Sequence, residues 1–232
     1  MNLLARNIND FFSLFFPEVC ASCGCSLVSN EEEICTGCIL DLPYTNFHLI
    51  PDNSVARQFW GRVPFVFCGA FLYFSKGANV QQLLHQFKYN NRPEIGVRLG
   101  EMYGKQLLLA GFADMPDIII PVPLHPRKLK KRGYNQSDYF AEGLSRALNI
   151  PVDKTILKRS SFTDTQTKKS RFSRYENMKD VFVISDPEVV INKHVLLVDD
   201  IITTGATLEA CASPVLEVAG SRISIAGIAY TN

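Results

Sequence analysis

Val195-Leu-Leu-Val-Asp-Asp-Ile-Ile-Thr-Thr-Gly-Ala-Thr207 is the stretch on which the reading of the fold turns. Its leading residues, Val195 to Val198, make an apolar run of strand length, and a run without polar alternation suits a strand covered on both faces. Asp199 and Asp200 follow as the chain leaves that strand. Neighbouring carboxylates repel each other, so the placement is costly unless a polyol or a cation sits before them. Sugar hydroxyls can donate to carboxylates, and Mg2+ takes carboxylate oxygens directly or through water. Thr203-Thr204-Gly205-Ala206-Thr207 then enters a helix. Gly205 tolerates positive φ and lets the backbone approach a guest closely, while Thr203, Thr204 and Thr207 bring hydroxyls. The unpaired N–H groups of the first helical turn point to the same place, which suits a phosphate dianion. The helix dipole contributes only about 0.3–1 kcal/mol at an exposed end, so fixed hydrogen bonds must supply most of the hold.

Outward from this segment the chain alternates strands and helices. Asp117 to Val122 reads as a buried strand, and Tyr139, Phe140, Gly143, Leu144 and Ala147 mark the inward face of a helix. Val181 to Ile184 and Ile223 to Ile228 read as further strands, and Leu208 to Val218 as a helix that Pro214 should kink. Upstream, Val66 to Phe74 is a strand. Val80, Leu83, Leu84 and Phe87 mark a helix ended by Asn90-Asn91-Arg92-Pro93, and Leu99, Tyr103 and Leu107 a second, stopped by Gly111. Leu42 to Arg62 is a connecting stretch of little periodicity. This order predicts an α/β protein with a parallel sheet and a ligand at the carboxyl ends of its strands.

The chain has 232 residues, 47% of them hydrophobic, enough for one sizeable core and too apolar for intrinsic disorder. No apolar run reaches membrane-spanning length. Leu4, Ile8, Phe11, Phe12 and Phe15 fall at helical spacing, and the stretch lacks the features of a secretory signal. A cytoplasmic protein without stable membrane insertion is expected.

Net charge is +1, but Pro121 to Ser137 carries +5 and Lys154 to Lys179 carries +6, leaving −10 elsewhere. Two basic segments in an otherwise acidic chain imply an anionic ligand or a nucleic-acid backbone. The sequence holds no G-x-x-x-x-G-K-[ST], no G-x-G-x-x-G and no H-E-x-x-H, which argues against nucleotide hydrolysis, dinucleotide binding and metalloprotease chemistry.

Five of the seven cysteines lie close together: Cys20, Cys23, Cys25, Cys35 and Cys38. Cys20-x-x-Cys23 and Cys35-x-x-Cys38 are separated by eleven residues, a spacing that closes on one tetrahedral Zn2+. Cys25 is an alternative ligand to Cys20. Two disulfides are the competing reading, with nothing to indicate an oxidising compartment. Little apolar material lies between the pairs, so a metal would supply much of the local folding free energy. Cys68 and Cys211 read as core residues.

The Val195–Thr207 pattern resembles the phosphoribosyl pyrophosphate (PRPP) site of type I phosphoribosyltransferases. With the four-cysteine segment before it, and Pro121-Val-Pro-Leu-His125 and Arg132-Gly-Tyr-Asn-Gln136 between, the whole chain resembles the ComF family, which includes the GntX-like proteins. The resemblance implies a type I phosphoribosyltransferase-like parallel sheet flanked by helices, with a small N-terminal zinc ribbon. It divides the chain into an N-terminal helix and ribbon over residues 1–45 and a phosphoribosyltransferase-like domain over 46–232, with a hood at 60–115 and a core at 116–232.

It also implies roles. Asp199 and Asp200 would hold the ribose hydroxyls, directly or with Mg2+, and Thr203, Thr204, Gly205, Ala206 and Thr207 would cradle the 5′-phosphate. Arg132, Gly133, Asn135 and Gln136 would meet pyrophosphate in the loop after the first core strand. Gln166, Thr167, Arg171, Arg174 and Asn177 match the family's covering loop, with Arg171 joining Asp199 and Asp200 as a catalytic residue. Lys88 and Tyr89 are candidates for reading an acceptor base.

Two functions follow, the first from that resemblance and the second from the zinc ribbon and the two basic segments. One is transfer or recognition of a phosphoribosyl group from PRPP, in the setting of DNA uptake during natural transformation and with its machinery as partner. The other is non-catalytic binding of single-stranded DNA, regulated by PRPP or a nucleotide, with Tyr134, Tyr139, Phe162, Phe172 and Tyr175 available to stack on bases.

Overall fold

The computed structural model describes residues 18–74, 79–111, 114–160 and 181–231. The expected N-terminal helix and the expected site residues Gln166, Thr167, Arg171, Arg174 and Asn177 lie outside them, as do Phe162, Phe172 and Tyr175.

In chain order the described elements are α1 (Thr36–Leu40), α2 (Ser54–Phe59), β1 (Cys68–Tyr73), α3 (Asn79–Tyr89), α4 (Glu94–Leu109), β2 (Ile118–Pro121), α5 (Pro126–Arg132), α6 (Gln136–Leu148), β3 (Leu157–Arg159), β4 (Phe182–Ile184), β5 (His194–Ile202), α7 (Ala206–Leu216) and β6 (Arg222–Tyr230), with 3-10 turns at Phe47–Leu49 and Pro187–Val190. Four strands form one parallel sheet in the order β1-β6-β5-β2. Ile118 to Ile120 and Val195 to Val198 are buried throughout, because helices cover both faces.

One face packs against α3, α4 and α6, the other against α2 and α7. On α3 the buried residues are Val80, Leu83, Leu84 and Phe87, the spacing of a single helical stripe. α4 and α6 meet through glycine: a Cβ on Gly100 would stand 2.4 Å from the Phe140 carbonyl oxygen, and one on Gly143 2.0 Å from that of Val97. That contact draws α6 tightly onto α4 and fixes where its N-terminus meets the sheet.

Several expectations change. β5 does not end at Val198; it continues through both acids, with Asp199 opposite Gly227 and Ile202 opposite Tyr230, because β6 offers a ladder over that whole length. β4 leaves the parallel set and pairs antiparallel with β3 as a separate ribbon. Leu42 to Arg62 is not simply a connection. Asn53 Oδ1 accepts from the N–H of Val55 at 2.9 Å and Ala56 at 3.0 Å, starting α2, while its Nδ2 donates to the Cys68 carbonyl at 2.8 Å. The first basic segment also contains a helix, α5, begun by Pro126 in its first turn with the His125 ring as cap and ended by Gly133 at φ 83°. Helix α7 runs past Pro214 and stops two residues later, so the proline falls in its last turn.

Cys20, Ala21, Ile34, Cys35, Cys38 and Leu42 belong to the same buried cluster as α3 and α4. Arg92 ties the two regions, pairing with Glu33 at 2.6 Å and donating to the Val19 carbonyl at 3.2 Å. Cys68 and Cys211 are core residues, as expected. Among the described residues no helix is long and apolar enough to cross a membrane.

Candidate ligand site and cysteine centre

Strand β2 ends at Pro121, opposite Val198, and the chain turns away into α5. That departure leaves β5 without its neighbour from Asp199 onward and opens the space in which the acids stand. Asp199 Oδ1 accepts from Ser137 Oγ at 3.1 Å and from its neighbour's N–H, that of Asp200, at 2.8 Å. Burial, then the charge of Asp200, pushes the Asp199 carboxyl up to about 7. Asp200 is differently placed. Its Oδ2 lies 2.7 Å from Lys88 Nζ and 3.7 Å from Arg132 Nη1, and its Oδ1 accepts from Ile201 N–H at 2.6 Å. Carboxylate oxygens of this kind suit Mg2+ as donors.

The threonine segment is held from behind. Gln58 Nε2 donates to the Thr203 carbonyl at 2.7 Å, and Arg62 Nη1 to that of Thr204 at 3.3 Å while Arg62 also pairs with Glu209. With these carbonyls engaged on one side, the N–H groups from Thr203 to Leu208 find one acceptor among the described residues, the Thr204 hydroxyl 3.4 Å from Ala206 N. Gly205 adopts φ 72°, as expected of it, but the position its Cβ would take is 2.7 Å from the ring of Phe59. The close approach that demands glycine here is therefore made by the core residue Phe59.

Arg132 to Gln136 is the turn between α5 and α6 rather than an extended loop. Asn135 spends its side chain on the protein: Oδ1 accepts from Ser137 N–H at 3.4 Å, and Nδ2 donates to the Val122 carbonyl at 3.0 Å and to Asp138 at 2.6 Å. Gln136 is buried, its Oε1 accepting from Arg132 Nη1 at 2.6 Å. Tyr134 donates its hydroxyl to the Phe87 carbonyl, and the ring of Tyr89 lies under Lys131 Nζ and the Arg132 guanidinium, each 5.6 Å from its centre. The turn thus locks the end of α3 to the start of α6.

The acid pair, Arg132, Gln136 and Lys88 come together at the carboxyl edge of the sheet. Gln58, Arg62 and Ser137 carry no motif of their own. Gln58 and Thr203 are 145 positions apart, and only the folded chain brings them together.

In the N-terminal region the Sγ atoms of Cys20, Cys23, Cys35 and Cys38 all lie within 4.8 Å of one another. Backbone N–H groups of Ser22 and Cys35 point at Cys20 Sγ, at 3.4 and 3.3 Å, and that of Cys38 at Cys35 Sγ, at 3.4 Å. Four sulfur donors supported by N–H groups fit a structural Zn2+ with no open position. Cys25 Sγ lies 3.1 Å from Cys23 Sγ but stands outside the four that come together. None of the seven cysteines is in a disulfide, contrary to the competing reading of two disulfides.

Residues 135–232 match the family described as the phosphoribosyl transferase domain. The chain is 30% identical over 211 residues to the DNA utilization protein YhgH of Shigella flexneri, covering 89% of this chain and 88% of that one. It is also 30% identical over 236 residues to competence protein F of Haemophilus influenzae, covering 93% and 98%. Among solved structures it is similar to the glutamine PRPP amidotransferase of Bacillus subtilis, 20% identical with a TM-score of 0.44 over 62% of this chain and 30% of that one. Similarity to competence protein F that runs nearly from end to end, rather than through one motif, makes this chain a member of the ComF family.

Proposed function

We propose that the protein binds PRPP at the carboxyl edge of β5 and transfers or recognises its phosphoribosyl group. The observation that carries this reading is the threonine segment, whose carbonyls at Thr203 and Thr204 are engaged from behind while its N–H groups are left to one side. That polarity suits a phosphate dianion, with Thr203, Thr204, Gly205, Ala206 and Thr207 as its cradle. Asp199 and Asp200, which precede the cradle in the chain, then accept from the ribose hydroxyls or hold Mg2+, which supplies positive charge to the pyrophosphate when bound. Arg132 and Gly133 face the pyrophosphate, while Asn135 and Gln136 keep the turn in shape. Arg171 is assigned to the segment that covers the site and excludes water.

In the transfer reaction the bond from ribose C1 to pyrophosphate breaks, and a nitrogen of the acceptor bonds to C1. Charge develops on the sugar and on the departing pyrophosphate. Fixed cations and N–H groups stabilise the latter. We assign residues 1–45 to an N-terminal helix and zinc ribbon and residues 46–232 to the phosphoribosyltransferase-like domain. The names of the relatives, competence and DNA utilization, support a role in DNA uptake or use, which we place in the cytoplasm.

Pyrophosphate release is the test, measured with PRPP and Mg2+ across purine and pyrimidine bases and their nucleosides. Release with any acceptor establishes transfer. Saturable PRPP binding without release assigns recognition, and absence of PRPP binding refutes the proposal. One observation favours a second reading. Helix α5 has no buried residue and carries Arg127, Lys128, Lys130, Lys131 and Arg132, interrupted only by Leu129, a surface suited to single-stranded DNA. Affinity for an oligonucleotide that falls steeply with salt supports that reading, and absence of binding at low salt removes it.

A further inference from the structure

The Lys88–Asp200 pair is the least expected contact in the site. Lys88 is the penultimate residue of α3, and its side chain and that of Asp200 are only 13% and 18% exposed. An ammonium removed from water needs a partner. Here the partner is a residue assigned above to the sugar. Arg132 approaches the same Oδ2 from the end of α5, and Lys131 stands beside it over Tyr89. Two cations, Lys88 and Arg132, therefore converge on one carboxylate oxygen. Both depend on that same oxygen for their anion.

The ends of α3 and α5 cannot simply drift apart to relieve this. Phe87 is fully buried, its carbonyl accepts from Tyr134, and Tyr134 sits in the turn that follows α5. Lys88 is thus held at the rim of the site by its own backbone, with only its side chain free to swing.

We infer that Lys88 selects for the pyrophosphate end of the ligand, an inference that rests on the PRPP reading above. In the free protein its ammonium occupies Asp200 Oδ2. A ribose hydroxyl or a cation that takes this oxygen displaces Lys88 and leaves a half-buried ammonium without its anion. A ligand with a second phosphate group at C1 supplies a new anion within reach of the swinging side chain. Ribose 5-phosphate does not. The protein therefore discriminates between the two sugars by what they offer Lys88, although both satisfy the threonine cradle equally.

Calorimetric titrations of PRPP and of ribose 5-phosphate, at one fixed Mg2+ concentration, test this in the full chain with Lys88→Met and Lys88→Arg. Lys88→Met weakens PRPP by on the order of tenfold or more, the effect of one charge-assisted hydrogen bond. It also binds ribose 5-phosphate more tightly than the wild type does, because nothing need be displaced from Asp200. Lys88→Arg keeps the wild-type order. An equal loss for both ligands, or no change for either, overturns the inference and leaves PRPP binding standing. Wild-type protein that binds neither sugar overturns the PRPP reading itself. Inorganic pyrophosphate provides a second measurement should Lys88→Met not fold: Asp200→Asn releases Lys88 and binds it several-fold more tightly than the wild type, and equal or weaker binding counts against the inference.

Discussion

Ser137 Oγ donates a hydrogen bond to Asp199 Oδ1 across 3.1 Å, joining the first turn of α6 to the carboxyl end of β5. The bond connects two segments that are 62 positions apart and that the sequence presents as separate motifs. Ser137→Ala deletes one donor to a carboxyl that retains the N–H of Asp200. A loss of about 1 kcal/mol in urea unfolding follows, with weaker PRPP binding. Unchanged stability and affinity would show the bond to be incidental.

Gly205→Ala strains the threonine turn twice over. The left-handed backbone costs an alanine about 1–2 kcal/mol, and its Cβ meets Phe59 at 2.7 Å. Unfolding should show the sum of both. Adding Phe59→Leu restores the steric part and not the backbone part, so a double-mutant cycle yields a favourable coupling. A cycle without coupling means that Phe59 does not limit the turn.

The cysteine centre makes a prediction about stoichiometry. Wild-type protein carries one zinc per chain by elemental analysis, Cys25→Ser retains it, and Cys20→Ser loses it together with thermal stability, since Cys20 and Ile34 share the core of α3 and α4. Retention in Cys20→Ser with loss in Cys25→Ser would reverse the ligand assignment.

His194 gives the fold an acid-sensitive point away from the ligand edge. Its ring is buried, with Nε2 2.8 Å from Ser224 Oγ. Burial holds its pKa below the ordinary value, although Asp114 lies 3.4 Å from Nδ1 and acts in the opposite sense. The neutral form is thus the one that folding favours. Its stabilisation is complete above the unfolded value of about 6.5 and declines as pH falls through and below it. Urea midpoints measured from about pH 7 to 5 should fall less in His194→Gln than in the wild type. Parallel slopes would assign the acid sensitivity to other groups.

The parallel sheet was legible because its strands are apolar runs with helical periodicities between them. Strand ends were less so. Val198 to Ile202 continues β5 through two charges, since ladder hydrogen bonds to β6 are indifferent to side-chain polarity. Residues 181 to 184 have the composition of a strand, but composition carries no information on pairing, and β4 turned to β3. Helix α5 hid behind its charge. In the site, Asp199, Asp200 and the threonine segment announced themselves by local pattern. Their supports did not: Gln58, Arg62 and Ser137 act across long separations, and Asn135, read as a contact for a ligand, is taken up by capping α6 and holding Val122.

A titration of PRPP with Mg2+ into the wild type and into Asp199→Ala/Asp200→Ala, both shown folded by urea unfolding, is the most direct measurement of the proposed site. One PRPP per chain should bind to the wild type, with at least about tenfold weaker binding to the double variant, which has lost its acceptors for the sugar. Equal affinity in the two proteins, or a wild type that takes up no PRPP, would contradict a phosphoribosyl site at the end of β5.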